Sequence, residues 1–419
     1  MSDRVASSAV WSTLGMGVQG LSRLAYTVVI GRTMGTEALG HASALLSLSI
    51  FVALFWPTAA GNTSSRFLAV ALHGRASDAA VRRFLGRTTL ASSVLLGLIC
   101  VPVALGLGND LATAASAAWL VVGYGLYAYT RGSQLGYHRA RRIAFWDTLS
   151  SVVSLGLLVL VAVGGLSGAV LLPLALGYTI FAVACWPRGN GHGVVSATDE
   201  VRSGLLSFAS WNVLAGLTTN GLLQIAMLAA QAYGTGDEPG IYAAAFTLAT
   251  PASMLGQAVS QIVVPAFASR GGHGGLRDKA SVRFFLVFSA VTALAFGLVV
   301  VLAPFVLPLV YPEQGAAAVP VLQFLMVGVF VFTIALIPAA LLLSAGRSRA
   351  VALASIGGFV VGVLVVLATG PTAGVVAGSI GFLVGSTVNL VVVVVTGTVI
   401  RPSALDGSAA TVSEKTTSR

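Results

Sequence analysis

The stretch FFLVFSAVTALAFGLVVVLAPFVLPLV (284–310) contains no charged residue and is long enough to cross a lipid bilayer as one helix. Similar apolar runs recur along the whole chain of 419 residues, of which 56% are hydrophobic and only 9% are charged. Soluble domains average about 25% charged residues. The composition therefore excludes a water-soluble fold and predicts an all-α polytopic membrane protein.

The spacing of the apolar runs predicts twelve transmembrane helices with both termini in the cytoplasm. The predicted spans are 8–30, 38–60, 88–107, 112–132, 145–164, 166–186, 205–231, 240–264, 284–310, 317–343, 350–369 and 374–399. Under this topology all but two of the 23 Lys and Arg residues lie on the cytoplasmic side, as the positive-inside rule requires. The two left over are Arg23 and Arg32. Topology thus accounts for the net charge of +10, and we expect no nucleic-acid binding.

The two halves of the chain resemble each other. QGLSRLA (19–25) aligns with NGLLQIA (220–226), and MGTEALGHASA (34–44) aligns, with one gap, with YGTGDEPGIYAAA (233–245). Each half has an even number of predicted spans, so the repeat is parallel and the substrate site of such a transporter lies between the halves. The predicted division is a six-helix bundle at 1–186, a cytoplasmic linker at 187–204, a second six-helix bundle at 205–400 and a disordered cytoplasmic tail at 401–419.

Arg23 is the costliest residue of the first span, since a charge near the bilayer centre costs about 2.5–3.5 kcal/mol on insertion scales. At 100° per residue it shares one helix face with Ser12, Gln19 and Thr27. Two explanations are open. Its long side chain reaches the outer interface, or it lines a polar cavity.

Matching polar stripes favour the cavity. The seventh span carries Asn220 and Gln224, the latter being the repeat-mate of Arg23. The eighth carries Gln257 and Gln261, and the second carries Asn62. Hydrogen bonds between helices, worth about 0.6 kcal/mol each, are the alternative explanation for each single residue. Pro57, Pro251 and Pro265 interrupt polar-striped spans and are candidate hinges, with static bends as the alternative.

Acidic residues are missing from the middle of the predicted spans. Asp147 lies at the cytoplasmic edge of the fifth span, where we expect an ion pair with Arg141 or Arg142. A cavity for cations would need a buried carboxylate, whereas amides plus one guanidinium favour an anion such as phosphate. Segment 124–142, rich in Tyr and Arg, is typical of an aromatic belt with cytoplasmic anchors. Cys100, Cys185 and the five scattered histidines have no ligand spacing, so we expect no metal and no cofactor.

The chain resembles the polysaccharide-transport branch of the multidrug/oligosaccharidyl-lipid/polysaccharide (MOP) exporter superfamily. The resemblance is carried by YTVVIGRTMGTEALGHASALLSL (26–48), AYGTGDEPGIYAAAFTLATPASMLGQAVSQIVVPAFASR (232–270), LAPFVLPLVYPEQGAAAVPVLQFL (302–325) and LLSAGRSRA (342–350). It implies two six-helix bundles that open alternately to each membrane face and move polyprenyl-pyrophosphate-linked glycans outward. The chain differs from related lipid II flippases in having twelve predicted spans and one clear intramembrane arginine. It differs from drug-exporting relatives in lacking an acidic residue in the first or seventh span.

These observations predict a flippase for a lipid-linked oligosaccharide of surface-polysaccharide biosynthesis, not an enzyme, in the bacterial cytoplasmic membrane. Arg23 would bind the (pyro)phosphate, and further polar residues would hydrogen-bond the sugar or the phosphate: Gln19, Asn62, Asn220, Gln224, Gln257 and Gln261. We expect a monomer in the lipid bilayer, with the lipid-linked glycan and polysaccharide-assembly enzymes as partners. The alternatives are a multidrug or cation antiporter, a membrane glycan polymerase or ligase, and a non-transporting scaffold.

Overall fold

The computed structural model describes residues 2–73, 78–188, 199–268, 279–344 and 347–399. Within these ranges some side chains are not described, chiefly those of 2–14 and 254–268. The described chain is helical, and no β-strand occurs within these ranges. The predicted all-α class is therefore confirmed for this part of the protein.

The helices follow one another along the chain with short connections. They are α1 (Ser2–Thr33), α2 (Gly35–Ala53), α3 (Pro57–His73), α4 (Ala79–Gly106), α5 (Leu111–Gly136), α6 (Ala140–Val163), α7 (Leu172–Cys185), α8 (Asp199–Gly216), α9 (Leu222–Tyr233), α10 (Glu238–Ala268), α11 (Lys279–Val310), α12 (Gly315–Ser344), α13 (Ser348–Ala373) and α14 (Ala377–Val399). Two short 3₁₀ turns, Ser167–Ala169 and Gly374–Val376, precede α7 and α14.

Two predicted spans consist of two helical pieces each. The second predicted span, 38–60, breaks after Ala53, and α3 starts at Pro57, because the fixed φ of proline and its missing N–H suit the first turn of a helix. The seventh contains a π-helical segment, Leu217–Gly221, between α8 and α9. π-Helical turns inside α-helices are rare, and those that occur are often found at functional sites.

Helix α8 begins at Asp199, inside the predicted linker 187–204. Two acidic residues at the start of this segment favour a helix N-terminus there, since they complement the helix dipole. Residues 189–198 and the predicted tail 401–419 lie outside the described residues. The proposed division into bundles, linker and tail stays a prediction.

The same packing pattern occurs in both halves of the chain. In the first half, α5 packs against α3, α4 and α7, and α6 packs against α1 and α7. In the second half, α12 packs against α10, α11 and α14, and α13 packs against α9 and α14. Each helix of the first set thus has a counterpart with the same neighbours about 200 residues later, as the sequence repeat predicts.

Glycines allow the closest approaches inside each half. A Cβ atom on Gly132 of α5 would lie 2.3 Å from the carbonyl oxygen of Gly61 on α3. In the second half, a Cβ on Gly385 of α14 would lie 2.6 Å from the carbonyl oxygen of Gly358 on α13. Backbones meet directly at both crossings, which is the use that small residues have in membrane helix packing.

The halves meet along α2 and α3. Helix α2 packs against α9 and α10, and α3 packs against α8. At the α3–α8 contact the guanidinium carbon of Arg66 lies 4.5 Å from the centre of the Phe208 ring, within cation–π range. This contact joins the end of α3 to the beginning of the second half.

Large apolar side chains are exposed along whole helices, above all on α4, α6 and α11. Such extended apolar surface is typical of a membrane protein. Nine helical segments of the described residues are long and apolar enough to cross a membrane, and one of them, Arg349–Thr398, includes both α13 and α14. The protein is therefore a multi-pass membrane protein, whereas the count of twelve spans and the cytoplasmic position of both termini stay predictions.

Candidate functional site

Arg23 lies in the interior of the first half, on α1. Its Nε donates a hydrogen bond of 2.8 Å to the hydroxyl of Tyr178 on α7. Its guanidinium carbon lies 5.1 Å from the ring centre of Tyr124 and 5.7 Å from that of Tyr178. The side chain therefore turns towards α5 and α7 rather than reaching for the outer interface. The exposed Arg32, whose Nε donates to the carbonyl oxygen of Val310 at 2.8 Å, occupies that interface position instead.

The aromatic rings explain how the protein tolerates a charge at this depth. A desolvated cation–π contact is worth about 2 kcal/mol, comparable with the insertion penalty of about 2.5–3.5 kcal/mol for one arginine. Tyr124 and Tyr178 also pack on each other, with ring centres 5.3 Å apart. A guanidinium has five N–H donors, and the Tyr178 hydroxyl accepts from one of them. The arrangement stabilises the cation without a carboxylate in direct contact.

Two cavities adjoin Arg23. The first, which we call the N-half cavity, has a volume of about 10 Å³ and lies among α1, α5, α6 and α7. Its polar lining consists of Gln19, Ser22, Arg23, Tyr127, Asp147, Ser150, Ser151, Ser154 and Tyr178. Its volume is close to the smallest that can hold one water molecule.

The second cavity, which we call the inter-half cavity, has a volume of about 50 Å³ and lies among α1, α2, α9 and α10. Its lining is Gly20, Arg23, Leu24, Ser43, Leu46, Ile50, Gln224, Phe246, Thr247, Thr250 and Pro251. Arg23 is the sole charged residue of this described lining, and its repeat-mate Gln224 faces the same space. The two halves thus contribute two repeat-related residues to one cavity, and of these two only Arg23 is charged.

Asp147 occupies a different position from the one predicted. It is buried, with 1% of its side chain exposed, and its ion-pair partner is Arg131 of α5, with Nε and Oδ2 3.5 Å apart. Arg141 and Arg142 are exposed instead. The expectation of an interfacial pair was wrong because α6 starts at Ala140, two turns before Asp147, which carries the carboxylate into the bundle.

Arg131 is therefore a second arginine that turns into the bundle, whereas the sequence predicts a cytoplasmic anchor at this position. Only 16% of its side chain is exposed. Tyr127, one helical turn earlier, donates a hydrogen bond of 2.9 Å from its hydroxyl to Asp147 Oδ1. The interpretation of 124–142 as an interfacial belt was wrong for its first part, because Tyr124, Tyr127 and Arg131 share the face of α5 that turns into the bundle.

The other predicted site residues are distributed unevenly. Gln19 lines the N-half cavity and Gln224 the inter-half cavity, and each has a buried side-chain atom without a hydrogen-bond partner. Asn62 is exposed on α3, and the Nδ2 of Asn220 donates to the Thr219 hydroxyl at 3.1 Å within the π-helical segment; neither lines these cavities. The side chains of Gln257, Gln261 and Pro265 lie outside the described part of the structure.

Of the remaining hinge candidates, Pro57 is the first residue of α3, directly after the break in the second span. Pro251 lies inside α10 and lines the inter-half cavity. Both positions fit a bend, and their role as hinges stays a prediction. Within the described ranges, no group of three His, Cys, Asp or Glu side chains could hold a metal ion.

The two halves close on each other at the outer end, by which we mean the end where α1 stops and α2 begins. A Cβ on Gly40 of α2 would lie 2.9 Å from the backbone nitrogen of Gly240 on α10, the helix that corresponds to α2 in the repeat. A Cβ on Gly240 would lie 2.0 Å from the carbonyl oxygen of Thr36. Next to this crossing, His41 contacts Asn109 at 3.0 Å and Gln231 at 3.5 Å. Backbone-to-backbone contact leaves no passage between α2 and α10 at this level.

Comparisons with known proteins place this geometry in context. A scan against protein-family models and a search of characterised proteins both found no match to the sequence. Solved structures do match. An inward-facing multidrug resistance MATE family transporter of the MOP superfamily has a TM-score of 0.67 at 18% identity, covering 92% of this chain and 97% of that chain.

Two further structures bear on the fold and its conformation. The lipid II flippase MurJ in an inward closed conformation has a TM-score of 0.71 at 10% identity, covering 92% of this chain and 87% of that chain. An outward-facing MATE family transporter has a TM-score of 0.57 at 16% identity, with 94% of both chains covered. The fold of this chain is therefore similar to that of MATE transporters and of the lipid II flippase MurJ.

Proposed function

We propose that the protein is an alternating-access flippase that moves a polyprenyl-pyrophosphate-linked oligosaccharide outward across the bacterial cytoplasmic membrane for surface-polysaccharide biosynthesis. The observation that carries the proposal is the lining of the inter-half cavity, where Arg23 is the sole charged residue among the described side chains. A substrate entering between the halves meets one guanidinium, three hydroxyl groups and one amide, set among apolar side chains. Guanidinium binds phosphate through a planar fork of donors, so the cavity suits a phosphate better than a cation.

The volume of the cavity indicates how the cycle proceeds. About 50 Å³ accommodates neither a pyrophosphate nor a sugar, so the described conformation is narrowed around Arg23. The Gly40–Gly240 crossing closes the outer end, and the substrate therefore enters from the opposite end as α1 and α10 separate. The free energy of binding between the phosphate and Arg23 then contributes to the change to the outward-open state. No covalent bond is made or broken.

A multidrug or cation antiporter is the second candidate, and one observation favours it. Asp147 is a buried carboxylate that lines the N-half cavity, and buried carboxylates suit cationic substrates or protons. However, Asp147 already has Arg131 at 3.5 Å and a hydrogen bond from Tyr127, and it does not line the inter-half cavity. The phosphate-binding function therefore agrees better with the charges that face the space between the halves.

The test uses cells from which the gene has been deleted and which carry plasmid-borne variants at matched expression. We expect Arg23→Gln to lower surface polysaccharide at least about tenfold, equivalent to about 1.4 kcal/mol, with lipid-linked precursors accumulating inside. Arg23→Lys should give an intermediate level, because lysine keeps the charge but lacks the fork. Arg83→Gln, at an exposed position on α4, is the matched control.

Two results would overturn the proposal. Normal glycan export by a well-expressed Arg23→Gln variant would remove the phosphate-binding role. A deletion strain with unchanged surface glycan but increased sensitivity to organic cations would establish the antiporter instead.

A further inference from the structure

The lining of the N-half cavity contains a second charged group in addition to Arg23. Arg23 and Asp147 both line this cavity, although they form no ion pair with each other. Its volume of about 10 Å³ is close to the smallest that can hold one water molecule. A guanidinium on α1 and a carboxylate on α6 thus line the same small cavity, and a movement of either helix changes the distance between them.

The existing partners of Asp147 leave its carboxylate incompletely satisfied. Oδ1 accepts a hydrogen bond from Tyr127, but Oδ2 lies 3.5 Å from Arg131 Nε and has no hydrogen-bond partner. Arg131 Nε and Nη2 and Gln19 Nε2 are likewise buried without a hydrogen-bond partner. A buried oxygen without a hydrogen bond is costly even when an ion pair is nearby, so Oδ2 gains from any additional donor that reaches it.

Helix α1 runs directly past this oxygen. A Cβ added to Gly15 would lie only 3.0 Å from Asp147 Oδ2. Gly15 and Arg23 lie on the same helix, two turns apart. Gly15 has no side chain to stand between the two helices. A shift of α1 along or towards α6 therefore changes the distance between the Arg23 guanidinium and the Asp147 carboxylate without displacing a side chain at this position.

A transport cycle for a phosphate poses an electrostatic problem that this pair can solve. While the phosphate is bound, it neutralises Arg23. After its release, Arg23 keeps its contacts with the tyrosine rings, which offset only part of the cost of a charge at this depth. The empty protein must still return to its starting conformation with this cation inside the bundle. A carboxylate within the same half can replace the departed anion.

We propose that Asp147 is the internal counter-ion of Arg23 in the substrate-free protein, taking the place of the substrate's phosphate during the return step. This inference rests on the proposed flippase function. The phosphate and the carboxylate occupy opposite sides of Arg23, one in the inter-half cavity and one in the N-half cavity, and α1 moves between them. Asp147 is thus a positioning residue for the empty carrier and contacts no substrate.

The experiment separates the return step from substrate binding. Purified protein in phosphatidylcholine vesicles, with potassium and valinomycin on both sides, is given radiolabelled farnesyl pyrophosphate, a short soluble polyprenyl pyrophosphate. Net uptake into empty vesicles requires the empty return step, whereas exchange with unlabelled lipid inside does not. We expect Asp147→Asn to lower net uptake at least about tenfold, or about 1.4 kcal/mol, while exchange changes less than about twofold.

Further variants keep the test decisive if Asp147→Asn fails to fold. Arg131→Gln/Asp147→Asn removes the carboxylate without leaving Arg131 buried alone. Gly15→Ala pushes α1 away from Oδ2 while all charges stay, and should show the same selective loss of net uptake. Asp78→Asn is the matched control, since Asp78 also pairs with an arginine, Arg82 at 3.3 Å, but at the start of α4 and away from both cavities.

Each outcome has one meaning. Equal losses of net uptake and exchange would show that Asp147 serves the structure only, and unchanged net uptake would show that it is not needed; both overturn the inference. A third result is possible: Asp147→Asn could abolish the response of uptake to an imposed pH gradient and leave the ratio of net uptake to exchange unchanged. Asp147 would then be a proton site, and the inference would also be overturned. Absence of both kinds of uptake in the wild-type protein would instead contradict the proposed function.

Discussion

Substitution of Gly240 by alanine should open the outer end of the protein. The added Cβ would lie 2.0 Å from the carbonyl oxygen and 2.6 Å from the carbonyl carbon of Thr36, where ordinary contacts begin at 3.4 Å. Backbone atoms cannot rotate away as a side chain can, so α2 and α10 must separate by at least about 1 Å. Overpacking of this kind typically costs about 1–3 kcal/mol.

This cost applies to the closed conformation alone, because the crossing is absent once the halves have separated there. The equilibrium between closed and open outer ends should therefore shift by about 5- to 150-fold. Cysteine accessibility measures the shift. Ser43 is buried and lines the inter-half cavity beneath the crossing, and Ser43→Cys in a background lacking Cys100 and Cys185 places one reactive thiol there.

A membrane-impermeant maleimide applied from the outer side labels the Ser43→Cys thiol. The rate of this labelling should rise by about 5- to 150-fold when Gly240→Ala is added. Gly297→Ala on α11 is the control, since a Cβ there meets no atom within 4 Å and should leave the rate unchanged. Equal rates with and without Gly240→Ala, in protein of normal stability, would refute the conclusion that the Gly40–Gly240 crossing closes the outer end.

Three further substitutions test the interior of the first half, each by thermal unfolding of purified protein. Arg131→Gln should destabilise the fold by about 3–5 kcal/mol because it leaves Asp147 buried without its cation, and the double variant with Asp147→Asn should recover most of this loss; additive losses would contradict a coupled pair. Tyr127→Phe removes a hydrogen bond to a charged group and should cost about 1.5–3 kcal/mol, while an unchanged midpoint would mean that the bond contributes nothing. Gly132→Ala should lower the midpoint of unfolding more than Arg131→Gln or Tyr127→Phe does, because its Cβ would lie 2.3 Å from the Gly61 carbonyl oxygen. An unchanged midpoint with alanine at this position would contradict the close α3–α5 crossing.

The cavity around Arg23 was predictable from the sequence because its signals are local or repeated. Gln19 and Arg23 share a helix face by their spacing, and the internal repeat pairs Arg23 with Gln224, which lines the same cavity. Periodicity and symmetry thus identify which faces turn inward. Periodicity can be read from one helix alone, and symmetry from the comparison of the two halves. Neither requires knowledge of which helices are in contact.

The Arg131–Asp147 pair could not be found in this way. Each residue lies within two turns of a helix end, where a charge is ordinarily interfacial. Only the packing of α5 against α7 and of α6 against α1 shows that both side chains turn inward. The spacing of Tyr124, Tyr127 and Arg131 on one face of α5 was a visible signal, but an interfacial belt and a buried network have the same pattern.

The Gly40–Gly240 crossing also has a mechanical consequence. Two repeat-related backbones that touch lie close to the pseudo-twofold axis, so a contact there can act as a fulcrum for both halves at once. Helix α10 continues from this point to Ala268, a lever arm of about 40 Å at 1.5 Å per residue. A rotation of about 10° around the fulcrum would move the far end by about 7 Å while the glycines shift hardly at all. A protein with such a lever can open one end widely at little expense to the packing of the other.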